Sequence, residues 1–337
     1  MQYKTLAVTG ATGFQGGAIV KYFAANHPEV SIQAITRNIK KQPALDLLKL
    51  GGNVSLVQAD LEDKASLVKA FAGAEAVYLV TDYWNTQNNA VAPNLNSEIM
   101  NGVAAIDAAA ETKGLKHFLF GTLSEFASQS NMKWRNIYHF NTKIALNAYI
   151  RSKPDLWRKS TLVFTPIYFE NYLAFEQPFF PLLGGPKLVE GPQWRAFFPE
   201  NGVGNLPMVQ IGDLGKVVAA IFKEPARYFQ KYAVMISEYH TAATLVEQWA
   251  EAVGVTAGVD QIDLEEFKRR GRELGAPEFM AVEIWEQMCV LHDVGQSFIQ
   301  KLDIETVDMH GVVKLTTWKD WVEQQDWTTF LSSSKTV

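Results

Sequence analysis

The chain has 337 residues, 47% of them apolar, enough for one large domain or a domain with a smaller lobe, and this excludes wholesale disorder. A net charge of −5 without a basic block argues against direct nucleic-acid binding. Cys289 is the only cysteine, so no internal disulfide can form, and no apolar run approaches membrane-spanning length. The chain runs straight into its first predicted strand, so no signal peptide is expected. The expectation is a soluble, cytoplasmic protein, nuclear presence allowed, with no membrane partner.

The first element organises the rest. Leu6, Ala7 and Val8 read as a buried strand, Gly10, Gly13 and Gly16 follow at G-x-x-G-x-x-G spacing, and Ala18, Ile19, Tyr22, Phe23 and Ala24 recur at helical spacing. Strand, glycine turn and helix form the context of a dinucleotide site. Gly10 permits a sharp turn, Gly13 lets a pyrophosphate approach bare backbone, and Gly16 lets helix pack on strand. The helix N-terminus offers free N–H groups and partial positive charge to the phosphates. Thr12, Phe14 and Gln15 share this cofactor-binding segment.

Residues 30–36 alternate and predict the second strand, followed by Arg37, Asn38, Lys40 and Lys41 with no acid between Glu29 and Asp46. A basic residue here meets the 2′-phosphate of NADP, where an acid would meet the 2′-hydroxyl of NAD. NADP(H) is therefore the expected cofactor, with Arg37, Asn38 and Lys41 among its contacts. Residues 54–61 predict the third strand, ending in Asp60 and Leu61; Asp60 is placed to bond the adenine amino group or to cap the next helix, and Leu61 to cover the ring. Residues 76–81 predict the fourth strand, with Thr81, Asp82, Tyr83 and Trp84 at its carboxyl end, where open parallel sheets bind ligands. An aromatic turn packed on the core is the alternative. Residues 93–113 read as an amphipathic helix with apolar positions 95, 99, 103, 106 and 110, and residues 116–120 as the fifth strand.

Several segments in this order resemble the NmrA-like branch of the atypical short-chain dehydrogenase/reductases: GATGFQGG at 10–17, TRN at 36–38, TDYWN at 81–85, HFNTK at 139–143 and PIYFEN at 166–171. Orthodox members of that superfamily carry a serine after the fifth strand and a Tyr-x-x-x-Lys pair on the next helix. This chain has Gly121-Thr122-Leu123-Ser124 and His139-x-x-x-Lys143. The resemblance implies that Lys143 contacts the nicotinamide ribose and that Tyr168, Phe169, Glu170 and Asn171 lie beside the nicotinamide. His139 either donates a proton or is a half-buried structural histidine, and a Tyr83 or Tyr168 hydroxyl is the other candidate proton donor. Tyr138 is one residue out of register.

From Tyr172 onward Phe175, Phe179, Phe180, Trp194, Phe197 and Phe198 crowd a stretch with Pro178, Pro181, Pro186, Pro192 and Pro199. It reads as an aromatic-lined substrate lid or as the core of a small lobe. Asp213 is expected to start a helix, residues 232–237 a strand, and Glu238–Thr241 the start of a helix reaching Val253 with Thr241 as N-cap. Residues 264–272 and 278–294 read as helices, the second with Trp285, Met288, Cys289 and His292 on one packing face, and no metal site is expected.

The expected architecture is α/β, a Rossmann-type doubly wound parallel sheet with a smaller C-terminal α/β substrate lobe. Residues 1–171 form the NADP-binding domain, its sheet completed by segments near 205–240. Residues 172–330 form the lobe and 331–337 a frayed tail. Two functions fit: an NADPH-dependent oxidoreductase acting on a C=O, C=N or activated C=C of a small aromatic molecule, with His139 and Lys143 as catalytic residues, or a non-catalytic NADP(H) sensor working through a regulatory protein partner.

Overall fold

A computed structural model describes residues 1–87, 90–173, 187–188, 193–200, 202 and 204–333. In chain order the strands are β1 (Thr5–Val8), β2 (Ser31–Thr36), β3 (Val54–Gln58), β4 (Ala76–Leu79), β5 (His117–Thr122), β6 (Ser160–Phe164), β7 (Ile167–Tyr168), β8 (Lys187–Leu188), β9 (Gln193–Pro199), β10 (Leu206–Val209), β11 (Lys231–Val234), β12 (Glu238–His240), β13 (Thr256–Ile262) and β14 (Thr306–Asp308). The main sheet runs β14-β11-β6-β5-β4-β1-β2-β3, every neighbouring pair parallel. This is the doubly wound α/β fold expected. Its central strands β4, β5 and β6 are buried throughout because both faces are covered. Alternation divides them: Leu6 and Val8 of β1 join the core beneath the helix Phe14–Asn26, while Ala7 joins the core of the opposite face.

On that opposite face the helix Leu95–Glu111 packs on the helix Tyr138–Arg151. Its buried positions are 98, 102, 105, 106, 108 and 109, a face rotated from the predicted 95, 99, 103, 106 and 110. Two residues cause the rotation. Gly102 leaves room for Leu146, whose Cγ would lie 3.0 Å from a Cβ there, and Glu98 turns inward to a buried counter-charge, Lys143.

Two small three-stranded sheets, β12-β10-β7 and β13-β9-β8, accompany the main sheet. Glu238–His240, expected to open a helix, instead pairs antiparallel with β10; the helix starts at Ala242, and Thr241 Oγ1 accepts from Thr244 N at 3.1 Å. Of the later segments, β11 joins the main sheet from within 205–240, while β14 comes from beyond it. Trp194 packs on Trp249 and Phe330 at 5.6 and 5.0 Å, and Phe198 is buried, so these rings form lobe core rather than cleft lining. Phe175, Phe179, Phe180, Pro178, Pro181, Pro186 and Pro192 lie outside the described residues, as do 334–337 of the tail. Among the described residues no helix is long and apolar enough to cross a membrane.

Candidate active site at the sheet switch point

The sheet order reverses at β1, with β2 on one side and β4 on the other, and the strand ends leave a crevice there. The cleft encloses about 930 Å³ and runs from the glycine turn past the ends of β2 to β5 to Ile284, Gln287 and Leu291 of the helix Glu278–Val294.

Gly10 adopts φ +59°, the left-handed region open to glycine. A Cβ on Gly16 would overlap the Gly10 carbonyl oxygen and lie 2.6 Å from Thr9 O, so helix and strand approach this closely only because none exists. Gly13 is the N-cap of the helix and supplies no side-chain cap to its first-turn amides. A Cβ there would stand 3.3 Å from Gly10 O, with no other heavy atom of the described residues among its contacts within 4 Å. Uncapped amides facing bare backbone fit a pyrophosphate. Gly10, Thr12, Gly13, Phe14, Gln15 and Gly16 all line the cleft.

At the next strand ends Arg37, Asp60 and Leu61 line the cleft, and Glu62 joins them. Asn38 and Lys41 stand outside the lining. Asn38 Oδ1 accepts from Lys40 N at 2.9 Å, and Lys41 precedes the helix Gln42–Leu47. Asp60 does not cap the following helix. Asp63 does, accepting from Ala65 N and Ser66 N at 3.0 and 3.2 Å, while Asp60 accepts from Glu62 N at 3.1 Å. Asp82 lines the cleft and also caps the short helix Tyr83–Thr86 through Asn85 N at 3.1 Å.

Lys143 sits in the cleft wall, buried, with its ammonium committed on every side. It donates to Thr81 Oγ1 at 2.8 Å, to Thr81 O at 3.3 Å and to Glu98 Oε1. Glu98 is fully buried and also accepts from the Thr81 and Thr142 hydroxyls. His139, one turn earlier, lies in the same wall against Trp84, ring centroids 4.9 Å apart. Its Nδ1 and its backbone N each stand 2.6 Å from Glu283 Oε1. Because the carboxylate accepts, Nδ1 carries the proton, and Nε2 is the nitrogen left for other partners.

Tyr83 is buried and donates to Glu283 Oε2 at 3.1 Å; burial and then that carboxylate push its phenol far above the usual range. Tyr168 and Asn171 line the cleft, and burial raises the Tyr168 phenol as well. The side chains of Phe169 and Glu170 turn to other partners. Phe169 is buried against Trp318 and Trp321, and Glu170 accepts from the amides of Ile211 and Gly212 at 3.0 and 3.2 Å. Tyr138 bonds Asn136 Oδ1 at 2.8 Å, away from Lys143. Trp285, Met288 and Cys289 pack as expected, burial pushing the Cys289 thiol up to about 12, whereas His292 is exposed. Among the described residues no three His, Cys, Asp or Glu side chains gather as metal ligands would.

Sequence reasoning missed Glu98, Glu283 and Tyr78. Glu283 carried a signal: with Glu286 it falls among the apolar residues Ala281, Ile284, Trp285 and Met288 of its helix. An acid inside a packing face requires a buried partner. Glu98 had the same signal beside the neutral face of its helix.

The NmrA-like family profile matches residues 2–323. An NmrA-like family domain-containing protein of Dictyostelium discoideum is 28% identical over 324 residues, 95% of this chain and 97% of its own. The NmrA-like family domain-containing oxidoreductase FrzB of a Cladobotryum species is 28% identical over 261 residues, 74% of this chain and 73% of its own. Crystal structures of NmrA, a negative transcriptional regulator, in complex with NAD and with NADP share the fold at TM-scores of 0.73 and 0.72 and 17% identity, covering 100% of this chain and 99% of theirs. The glycine turn, the parallel sheet and the profile agree over nearly the whole length, and the chain belongs to the NmrA-like family.

Proposed function

We propose that this protein is an NADPH-dependent oxidoreductase that reduces a C=O, C=N or activated C=C bond of a small aromatic molecule. The observation that carries the reading is His139 in the cleft wall with Nδ1 held by the buried Glu283. With Nδ1–H given to Glu283, Nε2 has no partner among the described residues, and as an imidazolium the ring can deliver a proton from it. Relatives named as oxidoreductases support the same class.

The dinucleotide would be held by the uncapped amides after Gly13 at its pyrophosphate, by Asp60 and Leu61 at its adenine, and by Arg37 at its 2′-phosphate. NADP(H) is preferred over NAD(H) because the guanidinium matches a phosphate with paired, charge-assisted bonds. When bound, the reduced nicotinamide supplies a hydride. His139 supplies the proton, through Nε2 in its protonated form. Lys143 would hold a ribose hydroxyl of the dinucleotide; the longest of its present contacts is Thr81 O at 3.3 Å. The aromatic cleft residues Tyr83, Trp84, Phe126, Phe140 and Phe164 suit a flat substrate.

A regulatory reading has its own support: the orthodox serine and tyrosine are Gly121 and His139, and the Lys143 donors are already taken. One experiment separates the two. NADPH consumption is followed against a panel of aromatic carbonyls, imines and enones, with calorimetric affinities for NADP⁺ and NADPH. Turnover supports the enzyme; unequal affinities without turnover on any panel member support the sensor.

A further inference from the structure

We propose that Tyr168 is the hydrogen-bond donor that polarises the substrate's carbonyl oxygen, held in donor orientation by a chain of bonds from Tyr78 through the Gln15 amide. The inference rests on the oxidoreductase reading and adds to it the group that stabilises the developing oxyanion.

Tyr78 belongs to β4 and is fully buried. Its hydroxyl lies 2.6 Å from Gln15 Oε1, the acceptor it has among the described residues. A buried phenol proton without an acceptor is costly, so the Tyr78 proton goes to Oε1, and the Gln15 amide can face only one way. Gln15 Nε2 then points to Tyr168 and Thr165, donating to the Tyr168 oxygen at 2.6 Å and less well to Thr165 Oγ1 at 3.3 Å. With its oxygen accepting from Gln15, Tyr168 must send its own proton elsewhere. Thr165 Oγ1 at 3.4 Å is too far for a strong O–H···O bond. The remaining direction is the cleft, which the half-buried Tyr168 helps to line. Burial raises the phenol pKa, so the hydroxyl keeps its proton at neutral pH and serves as a donor rather than an acid.

Gly121 gives an independent reason. Orthodox reductases place their polarising serine in this segment. A Cβ at Gly121 would overlap Gln15 Oε1 and lie 2.9 Å from the Tyr78 hydroxyl. The amide thus occupies the space that a side chain at 121 would take, and the donor function passes to the far end of the chain. As a hydride adds to the carbonyl carbon, the π electron pair moves to oxygen, which takes its proton from His139, and NADPH leaves as NADP⁺. Tyr168 keeps its proton and bonds the oxygen throughout. A donor aimed at charge that develops in the transition state is worth about 10²–10³ in rate.

The probe is p-dimethylaminocinnamaldehyde, whose absorption moves to the red when its carbonyl oxygen accepts a hydrogen bond. It is bound to the parent, Tyr168→Phe, Tyr78→Phe and Gly121→Ser proteins in the presence of NADP⁺, and the same proteins are assayed with NADPH. The parent should bind it with a red shift. Tyr168→Phe should bind it without the shift and lose about 100-fold in turnover. Tyr78→Phe and Gly121→Ser, which free or displace the Gln15 amide, should show a smaller shift than the parent. A full red shift in Tyr168→Phe overturns the proposal, as does a parent that fails to bind the aldehyde or binds it unshifted. A shift lost in Tyr168→Phe, with no NADPH consumed by the parent against this aldehyde or any other member of the carbonyl, imine and enone panel, keeps the donor and overturns the oxidoreductase reading instead.

Discussion

Replacing Glu98 tests the electrostatic centre of the cleft. Its carboxylate is fully buried and accepts from Lys143, Thr81 and Thr142, and Lys143 is itself buried. Glu98→Gln preserves size and an acceptor but leaves the ammonium without its counter-charge. Removing one member of a buried pair costs about 3–5 kcal/mol, because the survivor stays desolvated and unpaired. Lys143→Met should cost a similar amount by stranding the carboxylate. The double variant Glu98→Gln/Lys143→Met removes both charges and leaves only imperfect hydrogen bonds, at about 1–2 kcal/mol. The prediction is therefore strong non-additivity, with the double variant more stable than either single one. Urea unfolding followed by fluorescence reads it, provided that the m-value stays constant. A double variant whose loss equals the sum of the single losses would refute the reasoning, since the two charges would then be acting independently.

Other outcomes follow from the same geometry. Arg37→Ala should weaken NADPH about 10-fold or more by calorimetry and leave NADH nearly unchanged, through loss of a charge-assisted contact worth about 1.5–3 kcal/mol; a parent with equal affinities for both would remove the NADP assignment. Gly13→Val should fold and fail to bind dinucleotide, whereas Gly16→Ala should compromise folding itself, because its Cβ meets the Gly10 carbonyl rather than a ligand; circular dichroism with a binding isotherm distinguishes them. His117 is buried between Tyr3 and Thr161, and burial holds its imidazole down at about 3. The unfolded chain therefore binds the extra proton from about pH 6.5 downward while the folded chain does not until about pH 3. Stability should fall as pH drops through that window, by up to about 1.4 kcal/mol per pH unit, and the slope from this residue should vanish in His117→Gln.

What was legible in the sequence was local. The glycine turn, the strand ends at Arg37, Asp60 and Thr81, and the helix carrying His139 and Lys143 each announce themselves within a dozen residues, and each reaches the cleft. What was not legible depends on partners far along the chain. His139 and Glu283 are separated by 144 positions, Tyr83 and Glu283 by 200, and no local period reports such a contact. The same limit explains the side chains of Phe169 and Glu170, whose partners Trp318 and the Ile211 and Gly212 amides lie far along the chain. It also explains Glu238–His240, where pairing with β10 overrides the apparent helix start.

The decisive measurement is NADPH consumption by the parent and His139→Phe proteins side by side, with the NADPH affinity of each measured by calorimetry. The proton-donor role predicts turnover of at least one aromatic carbonyl, imine or enone by the parent, a rate about 100-fold lower in His139→Phe, and affinity changed little. A His139→Phe protein that matches the parent rate would contradict it and leave His139 a structural partner of Glu283.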